Sequence, residues 1–448
     1  MGKNSTMRIF ACIIFIAISI SNALAAGQAP AGSTWQTANL PFRALNIASD
    51  GSSLWACGAD ESIAASSDSG GHWQLKHQKP GGNLLLNIAF SGKSFGYAAG
   101  TGGLLLITED SGETWTPYSA GSGTVLQASM ADPRTGLIRT DDSLLFTVDG
   151  GANWSAVSPG ANADALKNFP YSFSLVALDS GHMAVMLKSG AAQYESQTFL
   201  ITNDRGRSWQ SVSVPNVTLY SFLRVEGKFW AIGTEVVDKD KPGGGHGVPV
   251  ALYSSDGLKW AHSTSDLSAC GPEMCVACTG QGCLSANGMI TNVFAEKPIN
   301  WAFPTNPKLT AKWAATQSFM CFVGNSLQCT SISATAKPVR GEGAVPALVG
   351  PGPLGVKAAQ GPHCIACGMD HFLVDQKVQG MFTIKLVLVI GRNGIVTTAE
   401  ADGAPTLGIK ARIEQQAQQW IFEPYLKDGV QVDVKLSTNI QVAVVRPH

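Results

Sequence analysis

The sequence predicts a mainly β protein: a seven-bladed β-propeller over residues 27–333, then a small α+β domain of ββαβ order over 378–448. Three observations predict it. A Ser/Thr-x-Asp-x-Gly-x-x-Trp pattern recurs along the first three quarters of the chain. Short apolar runs separated by hairpin turn signals fill the space between its copies. After a Pro/Gly/Ala-rich stretch at 334–377, the periodicity changes to two strands, an amphipathic helix and a further strand.

The composition agrees. Of 448 residues, 14% are charged and 45% apolar, and the 49 glycines suit a β-rich core joined by tight turns. The net charge is −1, with no basic stripe, which excludes nucleic acid as a partner. The first residues read as a signal peptide (1–26): Lys3 and Arg8 precede the apolar run Ile9–Ile20, and Ala23-Leu24-Ala25 is a small-x-small cleavage site. The apolar run is short for a membrane span. The expectation is therefore a periplasmic or secreted protein with no membrane anchor after cleavage.

The repeat decides the architecture. Full copies carry Asp68 and Trp73, Asp110 and Trp115, Asp149 and Trp154, and Asp204 and Trp209. A copy one residue shorter carries Asp256 and Trp260, and a degenerate one keeps Glu296 and Trp301. A partial copy at the start keeps Gly32 and Trp35. Within one unit, runs 86–90, 95–100, 104–108 and 114–118 read as four antiparallel strands, the content of one propeller blade. The Asp carboxylate suits acceptance of N–H bonds across its own turn. The Gly supplies a left-handed position, and the Trp a large plate to bury between blades. These aspartates are read as structural. The segment around Trp35 lacks the strands before it, while 318–331 supplies strands with no closing repeat. Joining the two closes the ring and removes sheet edges.

These residues resemble the Asp-box (BNR) repeat of sialidases. The longer unit, with Gly96-Tyr97-Ala98-Ala99-Gly100 ahead of the turn, resembles the photosystem II assembly factor propellers. The resemblance implies a propeller and leaves the function open. The sialidase set of three arginines, a tyrosine with its glutamate and an acid is not recognisable. The arginines of the propeller are Arg43, Arg134, Arg139, Arg205, Arg207 and Arg224, with Arg340 just after it. No catalytic residue is assigned and no cofactor is expected.

The turn between the second and third strands of each blade emerges opposite the Asp turns. Two blades are longer there. One insert, 190–197, brings Tyr194 and Glu195; the other, 237–248, brings Asp238, Lys239, Asp240 and His246. These are the candidate binding loops.

Nine cysteines follow the signal. Equal spacings of eight suggest Cys275–Cys283 and Cys321–Cys329, with Cys270–Cys278 a further candidate and Cys57 the residual thiol. Cys364-Ile365-Ala366-Cys367 reads as a short-loop disulfide. With His363 and His371 it is alternatively a zinc site; as a redox pair it lacks a preceding strand-then-helix context.

In the last domain, 381–390 and 395–401 read as strands around Arg392-Asn393-Gly394, 407–420 as a helix burying Ile409, Ile413, Ala417 and Trp420, and 430–445 as one or two strands. With Trp420-Ile421-Phe422-Glu423-Pro424 and Lys427-Asp428-Gly429, this order resembles the TonB C-terminal domain. That resemblance implies a periplasmic module able to take a partner's strand at its sheet edge. The reading is an envelope binding or assembly scaffold with protein partners. The alternative is a glycan-binding protein or carbohydrate-active enzyme of the sialidase-like type.

Overall fold

The computed structural model describes residues 36–68, 70–140, 143–157, 173–187, 196–238, 245–264, 275–279, 282–285, 289–291, 300–302, 313–315, 319–323, 327–331, 362–367 and 380–444. The chain divides into two compact units, one holding most of Ala25–Leu348 and the other built on Val349–His448.

The first unit contains seven four-stranded antiparallel sheets among the described residues. Six are laid down in chain order. The second is typical: Leu85–Ser91, Phe95–Gly100, Leu104–Thr108 and Thr116–Ser119 pair successively. The seventh is composite. Trp313–Ala315, Phe319–Val323 and Leu327–Ser331 supply three strands, and Gln36–Thr37, from the other end, pairs with Leu327–Ser331 as the fourth.

From the seventh sheet through the first to the sixth, the innermost strand of each packs against the next one's. Ala44–Ser49 of the first sheet touches Leu85–Ser91 of the second on one side and Trp313–Ala315 of the seventh on the other. This cyclic order, with sheets stacked face to face around an axis, is a β-propeller. Sheet-to-sheet cores hold it together. One core joins Trp55 and Ile63 of the first sheet to Leu85, Leu106 and Trp115 of the second. Another joins Phe199 and Ile201 of the fourth to Phe229 and Leu252 of the fifth.

The glycines of the repeated turns mark the joints. A Cβ on Gly112 would meet Trp55, one on Gly206 would meet Phe146, and one on Gly257 would meet Ile201, each in the preceding sheet. Gly70 of the first sheet meets the sulfurs of Cys329 and Cys321 in the seventh. The disulfide Cys321–Cys329 therefore occupies, at the closing seam, the place that Trp55 or Phe146 takes elsewhere. Its cysteines are directly opposed on neighbouring strands. In the sixth sheet the register opposes Cys278 to Cys283, and Cys275 to Ser285. The expected bridges Cys275–Cys283 and Cys270–Cys278 rest on side chains that lie outside the described ones.

The second unit is a three-stranded antiparallel sheet, with Gly380–Ile390 between Val396–Asp402 and Val434–Val444. The helix Leu407–Ala417 covers one face. Its N-cap is Thr406, whose side chain accepts from Ile409 N–H. Ile409, Ile413 and Ala417 are buried as the pattern requires. The helix ends three residues before the expected Trp420, which is nonetheless buried against Phe422. The opposite sheet face is polar, with Thr383, Lys385, Glu400, Ser437 and Asn439 exposed.

Candidate functional site

The repeated aspartates spend their oxygens inside the turn. Asp110 Oδ1 accepts from the Thr108 hydroxyl at 2.8 Å and from Thr114 N–H at 2.9 Å, and Oδ2 accepts from the Thr114 hydroxyl at 2.6 Å. The same Thr108 oxygen accepts from Gly112 N–H. Asp149 and Asp204 repeat this with Asn153 and Ser208, and Asp68 with His72. Asp256, in the shortened copy, accepts from Leu258 and Lys259 N–H. Hydrogen bonds from Thr114 and Ser208 hold Asp110 and Asp204 down at about 2, as those from His72 do for Asp68. Trp73, Trp115 and Trp260 donate back to the turn carbonyls of Gly70, Gly112 and Gly257. This is turn chemistry throughout.

Antiparallel order fixes two faces. Turns between strands one and two, and the aspartate turns between three and four, lie on one side. Turns between two and three lie on the other, the loop face. The arginines do not converge. Arg205 and Arg207 lie in an aspartate turn, and Arg134 lies in a first-to-second turn on the same side. Arg43 and Arg139 lie at the loop-face ends of their strands, where burial pushes both guanidinium groups below their ordinary value. Arg224 Nη1 donates to the carbonyls of Ala131, Ala177 and Leu178 at 3.2, 3.3 and 3.2 Å. One guanidinium thus clasps the ends of the innermost strands of the third, fourth and fifth sheets at the aspartate-turn side.

On the loop face one feature stands out by length. Middle strands of the first to third sheets run four to six residues, whereas those of the fifth are Lys228–Val237 and His246–Ser254, ten and nine residues. Both ends of the expected insertion at 237–248 continue these strands, with Val237 opposite His246 and Glu235 opposite Val248. Four extra residues raise this ribbon by about 13 Å. Asp238 lies at its end with φ 58°; Lys239 and Asp240 fall outside the described residues, as do Tyr194 and Glu195 of the other insert.

The register puts Val217, Glu235, Val237, His246, Val248 and His262 on one face of this sheet. Glu235 Oε2 lies 3.0 Å from His262 Nε2, and His246 is exposed. The same face packs lower down on the fourth sheet, where Gln197 bonds Leu187 O and accepts from Leu219 N–H. Tyr220, the extra residue of a bulge in the innermost strand, is 42% exposed. The outer strand Ala261–His262 pairs only with Leu252 and Tyr253, so the outer edge of His246–Val250 is unpaired among the described residues. Pro249 in that edge removes a donor and blunts it against strand addition. Tyr220 and Glu235 were not singled out in the sequence, because a bulge and a face assignment need the pairing register.

In the second unit, Cys364 and Cys367 form a disulfide. Cys364–Ala366 pairs with Ile421–Phe422, and Cys367 enters the core. The motif therefore belongs to this unit rather than to a linker. His371, the fourth candidate zinc ligand, falls outside the described residues, and the two cysteines are spent on each other. Among the described residues no cluster of three or more metal-ligating side chains is present. Cys57 is a buried thiol whose sulfur donates to Leu85 O.

No family model and no curated protein matches the chain. Several solved structures are similar. One described as YCF48 bound to a D1 peptide is 14% identical over 67% of this chain and 97% of that one, with a TM-score of 0.40. YCF48 from Cyanidioschyzon merolae is 13% identical over 66% and 98%, with a TM-score of 0.35. A GH74 xyloglucanase from Xanthomonas campestris is 11% identical over 65% and 44%, with a TM-score of 0.34. The strand pairing defines this chain as a β-propeller protein with a second, α+β unit.

Proposed function

We propose that the chain is a non-catalytic binding or assembly scaffold of the cell envelope, its seven sheets forming the blades of one closed ring built on Asp-box turns. The carrying observation is the fifth-sheet ribbon. It raises Val237, Val248, Glu235 and His246 above a face whose opposite side is committed to turns. A rigid platform with one raised wall suits recognition of a folded protein partner. The second unit supplies another docking site, along the edge of Val434–Val444. That strand pairs with Gly380–Ile390 alone among the described residues, which suits addition of a partner's strand in a TonB-C-like module.

The test shortens the ribbon. Val236 and Gly247 are directly opposed, so replacing 237–246 by Asn-Gly closes the hairpin with a two-residue turn. The variant is expected to keep its melting temperature within a few degrees and to lose proteins crosslinked to the full chain in intact cells. An unchanged crosslinking pattern would overturn the ribbon as the recognition element.

A further inference from the structure

The two described disulfides differ in construction. Cys321–Cys329 bridges two paired strands, and its cysteines are 0% and 3% exposed. Cys364–Cys367 bridges nothing but its own turn, with a sequence separation of 3. It cross-links no two elements of the unit. Its ends are also unequal: Cys367 is 3% exposed within the core, whereas Cys364 is half-buried. An outside thiolate can reach one sulfur and not the other.

The surroundings suit a sulfur that changes partner. The Ile421 carbonyl oxygen lies 3.8 Å from Cys364 Sγ, placed to accept from a thiol once the bridge opens. His363 precedes Cys364, and its Nδ1 lies 3.7 Å from Glu423 Oε2, both side chains being partly exposed at 25% and 31%. The backbone is anchored independently of the bridge. Cys364 and Ala366 pair with Phe422 and Ile421, and Glu423 N–H donates to His363 O. Opening the bridge therefore leaves the segment held. The other edge of Cys364–Ala366 is unpaired among the described residues, open to an extended partner segment.

We infer that Cys364–Cys367 is a thiol–disulfide exchange site acting on a partner protein's dithiol. A partner thiolate attacks Cys364 Sγ. The Cys364–Cys367 bond breaks, and a mixed disulfide forms at Cys364. Cys367 leaves as a thiolate and takes a proton from water. The partner's second thiolate then attacks its own sulfur in the mixed disulfide and releases Cys364. The partner ends oxidised by two electrons as a disulfide, and Cys364 and Cys367 end as two thiols. A small-molecule disulfide such as oxidised glutathione restores the bridge by the reverse exchange.

The test uses the full chain under native conditions. It is titrated with reduced glutathione, quenched with acid, alkylated and mapped by mass spectrometry, so that Cys321–Cys329 serves as an internal reference. Cys364–Cys367 is expected to open at least about tenfold faster than the reference, as accessible bridges do. The Cys367→Ala variant, treated with oxidised glutathione, is expected to accumulate a glutathione adduct on Cys364. If Cys364–Cys367 opens no faster than Cys321–Cys329, or only in denaturant, the inference is overturned. It is equally overturned if Cys364 of the variant takes up no adduct while its circular dichroism remains native.

Discussion

Replacing Cys321 and Cys329 together by alanine removes the bridge at the seam where the last sheet meets the first. The bridge has a sequence separation of 8, and the loop-entropy relation for nine residues gives about 2.6 kcal/mol at 25 °C. Loss of sulfur packing against Gly70 adds to this, on the order of 1 kcal/mol. An unfolding entropy of about 2 cal/mol/K per residue over roughly 300 residues turns the sum into a lowering of Tm by about 6 °C. The loss has a location, because among the described residues Gln36–Thr37 pairs only with the strand that carries Cys329. Thermal denaturation followed by circular dichroism measures the first effect, and hydrogen exchange at 36–38 and 327–331 the second. Gly70→Ala supplies a check on the contact itself. Its Cβ would lie 2.6 Å from Cys329 Sγ at a φ of 84°, so it destabilises the bridged protein. It costs less when the sulfurs are gone, and a double-mutant cycle reads the difference. A Tm unchanged within one degree, with exchange at 36–38 unaltered and no coupling to Gly70, would refute the seam argument.

Other predictions follow from the turns and the helix cap. Thr108→Val leaves Gly112 N–H buried without the hydroxyl it donates to, at a cost of about 1–3 kcal/mol by urea denaturation. Trp115→Phe loses an indole bond to Gly112 O, whereas the Trp209 indole N–H is buried without a partner among the described residues; Trp115→Phe is therefore more destabilising than Trp209→Phe, by about 1 kcal/mol. Asp68, Asp110 and Asp204 are held at about 2, below the ordinary carboxylate value. Their contribution is present above the unfolded value and is lost as pH falls toward 2, so the melting temperature should drop across that window. A flat acid limb in Asp110→Asn and wild type alike would contradict it. Thr406→Ala removes the helix cap and should cost about 1 kcal/mol in the second unit.

The parts of the fold legible in the sequence are the locally encoded ones. The Ser/Thr, Asp, Gly and Trp of each turn interact within eight residues, so the motif alone implied its own hydrogen bonds. Strand runs such as 95–100 and 104–108 appear with the expected bounds. The partial repeat near Trp35 pointed to its missing strands because an unfinished sheet leaves unpaired backbone groups. What stayed hidden depends on register or on distant contacts. The bulge that frees Tyr220 in the fifth sheet carries no mark in the sequence. The stretch 237–248 looked like a loop because Pro242, Gly243, Gly244 and Gly245 crowd its middle, while the strand signal lay in the flanking Val236, Val237, Val248 and Val250. Docking of Cys364–Ala366 on Ile421–Phe422, and the Arg224 clasp across three sheets, join residues more than forty positions apart.

The most direct test of the scaffold reading places a photo-crosslinking residue singly on each side of the full-length propeller in intact cells. One set stands at Val237 and His246 on the ribbon, the other at Ser208 in an aspartate turn on the opposite face. The account predicts discrete protein adducts from Val237 and His246 and none from Ser208. Adducts from Ser208 with none from the ribbon would contradict it.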